Sequence, residues 1–206
     1  HKSSVEDGMK KLMMVLAAVV FAAAPVLAEG TGTPFFFEFK GEGGSIPSKD
    51  SDGDGSGHSL FTIVFDQPIE KIVSLEVELR GLTHTEPTDL DIYLYNLTGS
   101  NVELMTDRGD SVPVDKVDLI FNDGATQLPS ENGALVDGTY LPESGVLNGL
   151  VTGGSDVWIL LIIDDSPGDT GSLNQWFIRG IGVPEPMSLS LLAVGAIAMI
   201  RRRFAA

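Results

Sequence analysis

Ile72-Val73-Ser74-Leu75-Glu76-Val77-Glu78-Leu79 is the stretch that decides the fold. Val73, Leu75, Val77 and Leu79 recur at every second position, the period at which a strand sends successive side chains to opposite faces. One face of this segment is therefore buried and the other wet, as in an antiparallel sheet. Working outward, short runs of the same character occur at Phe35 to Phe39, Leu60 to Phe65, Leu90 to Tyr95, Val102 to Met105, Val117 to Phe121 and Trp176 to Ile181. Val157 to Ile163 is apolar on both faces, which predicts a strand at the centre of its sheet. No helical stripe is sustained between Glu29 and Pro186. About eight strands at this spacing predict an all-β sandwich or jelly roll.

The connections are rich in Gly, Asp, Ser and Pro, residues that supply positive φ angles and side-chain-closed turns. Gly41 to Gly57 is the most biased of them and reads as a loop. Gly124 to Gly154 is a long connection in which only Gly138 to Leu141 looks extended, and long ordered loops often carry function. There is no internal repeat.

Between Glu29 and Pro186 stand 27 Asp and Glu against 7 Lys and Arg, so this body carries a net charge of −20, more than the −16 of the whole chain. Nucleic acid is excluded as a natural ligand, since phosphate binding needs clustered cations. Such acidity suits solubility or bound divalent cations. The chain has no cysteine, which removes disulfides and thiolate chemistry. About 150 residues bury enough apolar surface to fold without them.

Both ends read as address signals. Residues 1–8 precede the expected start at Met9 and carry no fold information. Met9-Lys10-Lys11, the alanine-rich apolar run Leu12 to Leu27 and the small residue Ala28 at the expected cleavage site make residues 9–28 a secretion signal. Residues 29–182 are the body. Residues 183–206 run from Val183-Pro184-Glu185-Pro186 through the uncharged, largely apolar Met187 to Ile200, and then to Arg201-Arg202-Arg203. Fourteen residues make a helix of about 21 Å against about 30 Å of hydrocarbon, so spanning calls on Ile181 to Pro186 or on a thinned bilayer. The arginines fit a positive-inside stop, with the body on the far side of the inner membrane.

In its order of motif, greasy stretch and basic stop, Val183 to Arg203 resembles the PEP-CTERM sorting signal of exported proteins in exopolysaccharide-producing bacteria. The resemblance implies two processing partners, a signal peptidase and an exosortase-like membrane protease. The protein would be anchored transiently in the inner membrane and then reach the cell surface or the extracellular space.

The body from about Gly44 to Ile181 is similar to the P domain, the β-rich module that follows the protease in kexin- and furin-like proprotein convertases. The residues that carry the likeness, in the family's order, begin with Ile46-Pro47, Leu82-Thr83-His84-Thr85 and Asp89-Leu90-Asp91-Ile92-Tyr93-Leu94. Leu97-Thr98-Gly99-Ser100, Phe121-Asn122-Asp123-Gly124-Ala125 and the closing run Asp164 to Trp176 complete it. In that last run Gly168 and Gly171 permit a tight reversal, Asp169 closes it, and Leu173 and Trp176 return to the core. His84 reads as a hydrogen-bonded turn residue.

Calcium is the one cofactor these residues point to, at two places. Asp50, Asp52 and Asp54 alternate ahead of Gly55 as in the first half of an EF-hand loop, but the bidentate glutamate position falls on Phe61 and no helix flanks the run. A solvated acidic turn accounts for the same residues. The second place groups Asp123, Asp164, Asp165 and Asp169, with Asp89 beside them if the family topology holds. P-domain relatives often carry an acidic run where this chain has Asn122-Asp123-Gly124, so two carboxylates are missing there.

Enzyme chemistry finds little footing. His58 and His84 lie in no His-Glu-x-x-His spacing, no Gly-x-Ser-x-Gly elbow is present, and no pair of carboxylates stands out for glycoside hydrolysis. Asn96-Leu97-Thr98 matches a glycosylation sequon, a triplet common by chance. The reading is a non-catalytic exported module of the envelope or exopolysaccharide matrix. Its rivals are a calcium-dependent carbohydrate-binding module and an accessory acting in trans on an exported protease.

Overall fold

The computed structural model describes residues 33–49, 57–65, 69–97, 100–150 and 157–184. The secretion signal, Asp50, Asp52, Asp54 and everything after Pro184 lie outside them, so Ala28, Glu185, Pro186 and the three arginines have no structural account. Nine strands are present among the described residues: β1 Phe35–Ile46, β2 His58–Val64, β3 Ile69–His84, β4 Leu90–Asn96, β5 Asn101–Thr106, β6 Val114–Asn122, β7 Gly138–Tyr140, β8 Val157–Asp164 and β9 Gly171–Pro184. They form a five-stranded sheet in the order β1-β9-β3-β6-β7 and a four-stranded sheet in the order β2-β8-β4-β5. All pairs are antiparallel except β6–β7. The two inner faces make one apolar core around Trp158, Trp176, Phe121 and a set of fully buried leucines and isoleucines, so the body is an all-β sandwich.

Alternation places the strands correctly but misreads three segments. β3 pairs Ile72 with Gly182 and Ser74 with Ile181, so two steps on β3 match one on β9. That bulge turns Ile72 into the core and leaves Val73 in solvent, reversing the phase expected for the start of the strand. β1 does not stop at Phe39 but continues through Gly41 to Ile46. Gly41 faces Trp176 across the ladder, and a Cβ there would lie 2.1 Å from the indole nitrogen. The glycine is there to admit a ring, not to make a turn. Ile181 to Pro184 are ladder residues of β9, paired with Phe36, Phe35, Lys71 and Ile69, and so are not available to lengthen a helix.

The long connection after β6 turns out to be a wall. Its strand β7 extends the five-stranded sheet, and Ser144 then bridges to Glu103 of β5, the edge of the other sheet. Leu135, Tyr140, Leu147 and Leu150 enter the core from it. On the opposite side the edges β1 and β2 meet, with the Ser59 hydroxyl donating to the Ser45 carbonyl at 2.7 Å. The two ends of the sandwich differ. At one end stand His84, Leu90, Thr106 and Asp164, here the acidic end. At the other, the exit end, β9 leaves at Pro184 beside Phe35, Phe36 and Ile69.

Candidate functional site

At the acidic end β3 ends in His84, whose side chain is sealed from water together with that of Asp164, the last residue of β8. His84 Nε2 lies 3.2 Å from Asp164 Oδ2, and Nδ1 lies 2.9 Å from the Glu86 carbonyl oxygen. Both edges of the ring are thereby occupied by the fold. Asp164 Oδ1 accepts the Ser166 N–H at 3.1 Å, which closes the turn into the run Ser166 to Thr170. Burial pushes the Asp164 carboxyl above its usual range, against the opposing pull of Ser166 and His84. Asp169 accepts the Thr85 hydroxyl at 3.0 Å, and the Asp165 N–H donates to the Asp89 carbonyl at 3.0 Å.

Asp89, Asp164, Asp165 and Asp169 are thus brought together, as grouped from sequence. Burial first, then Asp169, Asp164, Glu86 and Asp165, raises the Asp89 carboxyl. Asp123 is not with them. It follows Asn122, the register partner of Glu76, and eight residues of β3 separate Glu76 from His84, a distance of about 26 Å. There, at the exit end, Asp123 accepts the N–H groups of Leu147 and Asn148 at 2.9 and 2.8 Å and ties the far part of the long connection to β6. Among the described residues no three His, Asp or Glu side chains meet in a metal-binding arrangement. Asp123, Asp164 and Asp169 each accept protein N–H or O–H groups through their side-chain oxygens. Asp50, Asp52 and Asp54 lie outside the described residues.

Two further features escaped the sequence, and a third was visible there only as the composition of one strand. Beside the acidic end, buried Arg108 binds Glu131 at 2.6 Å and Glu143, both from the long connection, and Glu143 also accepts the Thr106 N–H at 2.8 Å. Burial works to raise the Glu143 carboxyl, but the hydrogen bonds from Arg108 and Thr106 win and hold it below its ordinary range. On the outer face of the five-stranded sheet, Arg179 binds Glu38, Glu76 and Glu78, and Glu78 also binds Arg80 at 2.5 Å. The two guanidinium groups cover the outward ring of Phe177 at 4.4 and 5.0 Å. Next to this network an open depression of about 500 Å³ lies at the exit end, lined by Phe36, Glu76, Asn122, Asn148, Arg179 and Ile181.

The third feature is the outer face of the four-stranded sheet. β8 occupies an interior position in that sheet, as expected, but its second apolar face is only half covered. Register aligns Leu60, Leu161, Tyr93 and Glu103 in one row and Thr62, Ile159, Tyr95 and Asn101 in the next. The Tyr93 and Tyr95 rings lie 6.1 Å apart at 49°. Burial, then the charge of Asp91, pushes the Tyr93 hydroxyl up to about 12. The sequon asparagine, Asn96, is buried and accepts the Ser100 N–H at 3.2 Å.

No family model and no curated protein matches the chain. Among solved structures it is distantly similar to the Aeromonas sobria serine protease in complex with the chaperone ORF2, with 15% identity and a TM-score of 0.44 over 73% of this chain and 27% of that one. The Aeromonas sobria serine protease alone gives 14% identity and a TM-score of 0.41 over 75% of this chain and 28% of the other. The infectious bursal disease virus VP2 subviral particle gives 14% and 0.36 over 71% and 32%. The chain spans about a quarter to a third of the length of these structures.

Proposed function

We propose that the chain is a non-catalytic, exported P-domain-like module, delivered by an exosortase-type system to the cell surface or the extracellular matrix. The observation that supports this reading best is the course of β9. An interior strand of the five-stranded sheet runs unbroken into Val183-Pro184, and Met187 follows only two residues after the last ladder position. The sorting motif is therefore fused to the sandwich without a spacer, and the carboxylates of the acidic end sit at the far pole from it. Replacing Pro184, Glu185 and Pro186 together with alanine is expected to leave full-length protein in the membrane fraction; normal processing of that variant refutes the reading.

A second reading, a calcium-dependent carbohydrate-binding module, draws on the flat outer face where Tyr93 and Tyr95 stand beside Asn101 and Glu103. Sugar rings stack on exposed aromatic faces while amides and carboxylates take their hydroxyls. The calcium in this reading is assigned to Asp50, Asp52 and Asp54. Retention on the producing organism's exopolysaccharide, lost both with chelator and in Tyr93→Ala, is its expected signature. Equal retention of the variant removes the sugar role, and indifference to chelator removes the calcium.

A further inference from the structure

We infer that the exit end of the sandwich is a lipid-contacting surface, seated in the headgroup layer of the bilayer that takes the sorting tail. The inference rests on the anchored-tail reading above and adds to it where the folded body sits.

The first ground is length. The last ladder residue is Pro184, and only Glu185 and Pro186 separate it from the uncharged run Met187 to Ile200. Two residues, even fully extended, reach about 7 Å. The headgroup region on each side of the hydrocarbon is itself about 5–8 Å deep. Because Ile181 to Pro184 are held by β1 and β3, the run cannot borrow them, and fourteen residues at the rise of a helix would reach only about 21 Å, short of the hydrocarbon. A short anchor joined to a rigid body by so short a link draws that body onto the surface.

The second ground is what stands at that end. Phe36 is 67% exposed, Val64 65%, Leu97 63%, Val73 48% and Ile181 40%. They come from five different strands or strand ends but share one pole. Phe36 is the register partner of Ile181, and Val73 is the bulged residue beside Ser74, which pairs with Ile181. Val64 precedes Phe65, whose ring stacks on Phe39 at 4.1 Å and on Trp158 at 5.6 Å. Leu97 follows Asn96, the partner of Trp158. Exposed Lys71 pairs with Val183 at the same pole. An apolar rim with a cation at the point of exit suits a bilayer interface carrying anionic headgroups. Asp89, Asp164, Asp165 and Asp169 gather at the opposite pole, beyond most of the length of β3. Of the carboxylates that do stand at the exit end, Asp123 is engaged within the fold by the N–H groups of Leu147 and Asn148, and Glu76 by Arg179.

The test uses the full chain, which has no cysteine of its own. Single cysteines introduced as Leu97→Cys at the exit end and Asp110→Cys toward the acidic end carry an environment-sensitive fluorophore. The labelled chains are reconstituted into phosphatidylethanolamine–phosphatidylglycerol vesicles. The expected result is flotation of both proteins, with the Leu97→Cys label several-fold slower to quench by aqueous iodide than the Asp110→Cys label and quenched by lipid-borne nitroxide. Adding Phe36→Ser and Val73→Ser, with circular dichroism unchanged, is expected to restore iodide access at the first label. Flotation with equal iodide access at both labels overturns the seating and leaves the anchor standing. Failure of both proteins to float overturns anchor and seating together.

Discussion

His84 and Asp164 at one end of the sandwich, and Phe36 and Val73 at the other, invert the usual distribution of side chains. The ionisable pair is sealed from water and the apolar pair stands in it. At the acidic end a carboxylate is tolerated because the fold supplies donors. Asp164 has Ser166 and His84, Asp169 has Thr85, and Glu143 has Arg108 and Thr106. At the exit end Phe36 and Val73 are outward and exposed instead. The contrast teaches that Asp164, Asp169 and Glu143, which stand out as acids in the sequence, tie loops and strand ends together, whereas Phe36 and Val73 point away from the core.

Breaking the acidic side of this contrast should cost most at Arg108. Its guanidinium is buried and joins Glu131 and Glu143, so it pins two points of the long connection beside β5. Arg108→Ala leaves Glu143 with a charge in a half-closed site and frees the wall of the core. The expected loss is about 3 kcal/mol, at the lower end of what removing one partner of a buried pair costs. Chemical denaturation measures it, and a loss below about 1 kcal/mol would mean that the wall is held by Leu135, Tyr140 and Leu147 alone.

A smaller effect of opposite sign is expected at Asp91, on the outer face of β4. Burial first, then Asp107, Asp165, Glu103 and Glu143, raises its carboxyl to about 6. The folded state therefore holds a proton that the unfolded state has released, and stability falls as pH rises from about 4 to 6. Asp89 and Asp164, also raised, add to the fall with the same sign. Asp91→Asn removes one charge from this crowd, so its melting temperature at neutral pH should exceed that of the parent by a few degrees. Its decline across that pH window should be shallower. A parallel, unshifted curve would show that Asp91 is solvated well enough to ignore its neighbours.

Most strands were legible because a half-buried strand writes its period into the chain, as Leu90, Ile92 and Leu94 do against Asp91, Tyr93 and Tyr95. What was not legible depends on the partner strand. The bulge that turns Val73 outward exists only in the register between β3 and β9. Gly41 reads as a turn until Trp176 is laid across it. The buried contact between His84 and Asp164 joins residues 80 positions apart, and nothing local to either predicts it. Asp123 was grouped with Asp164 alongside the P-domain resemblance, but β6 and β8 run in opposite senses along the sandwich and end at opposite poles. The flat apolar face of β8 was visible as composition. That nothing among the described residues seals it is a property of the packing alone.

The smallest effect belongs to the exit end, and its smallness is the point. Phe36 and Val73 make no ring or hydrogen-bond contribution that their loss would leave open, since the aromatic cluster of β1 consists of the inward Phe35, Phe37 and Phe39. Phe36→Ser with Val73→Ser should therefore change unfolding free energy by no more than about 0.5 kcal/mol per site, the usual range for exposed positions away from special contacts. Some of that cost would come from the lower strand preference of serine and not from lost packing. Denaturation of the double variant beside the parent measures it. A loss of several kcal/mol would place these side chains in the core after all and abolish the contrast between the two poles. Unchanged stability leaves their exposure without a purpose inside the fold, which is the condition under which a residue is free to serve a surface outside it.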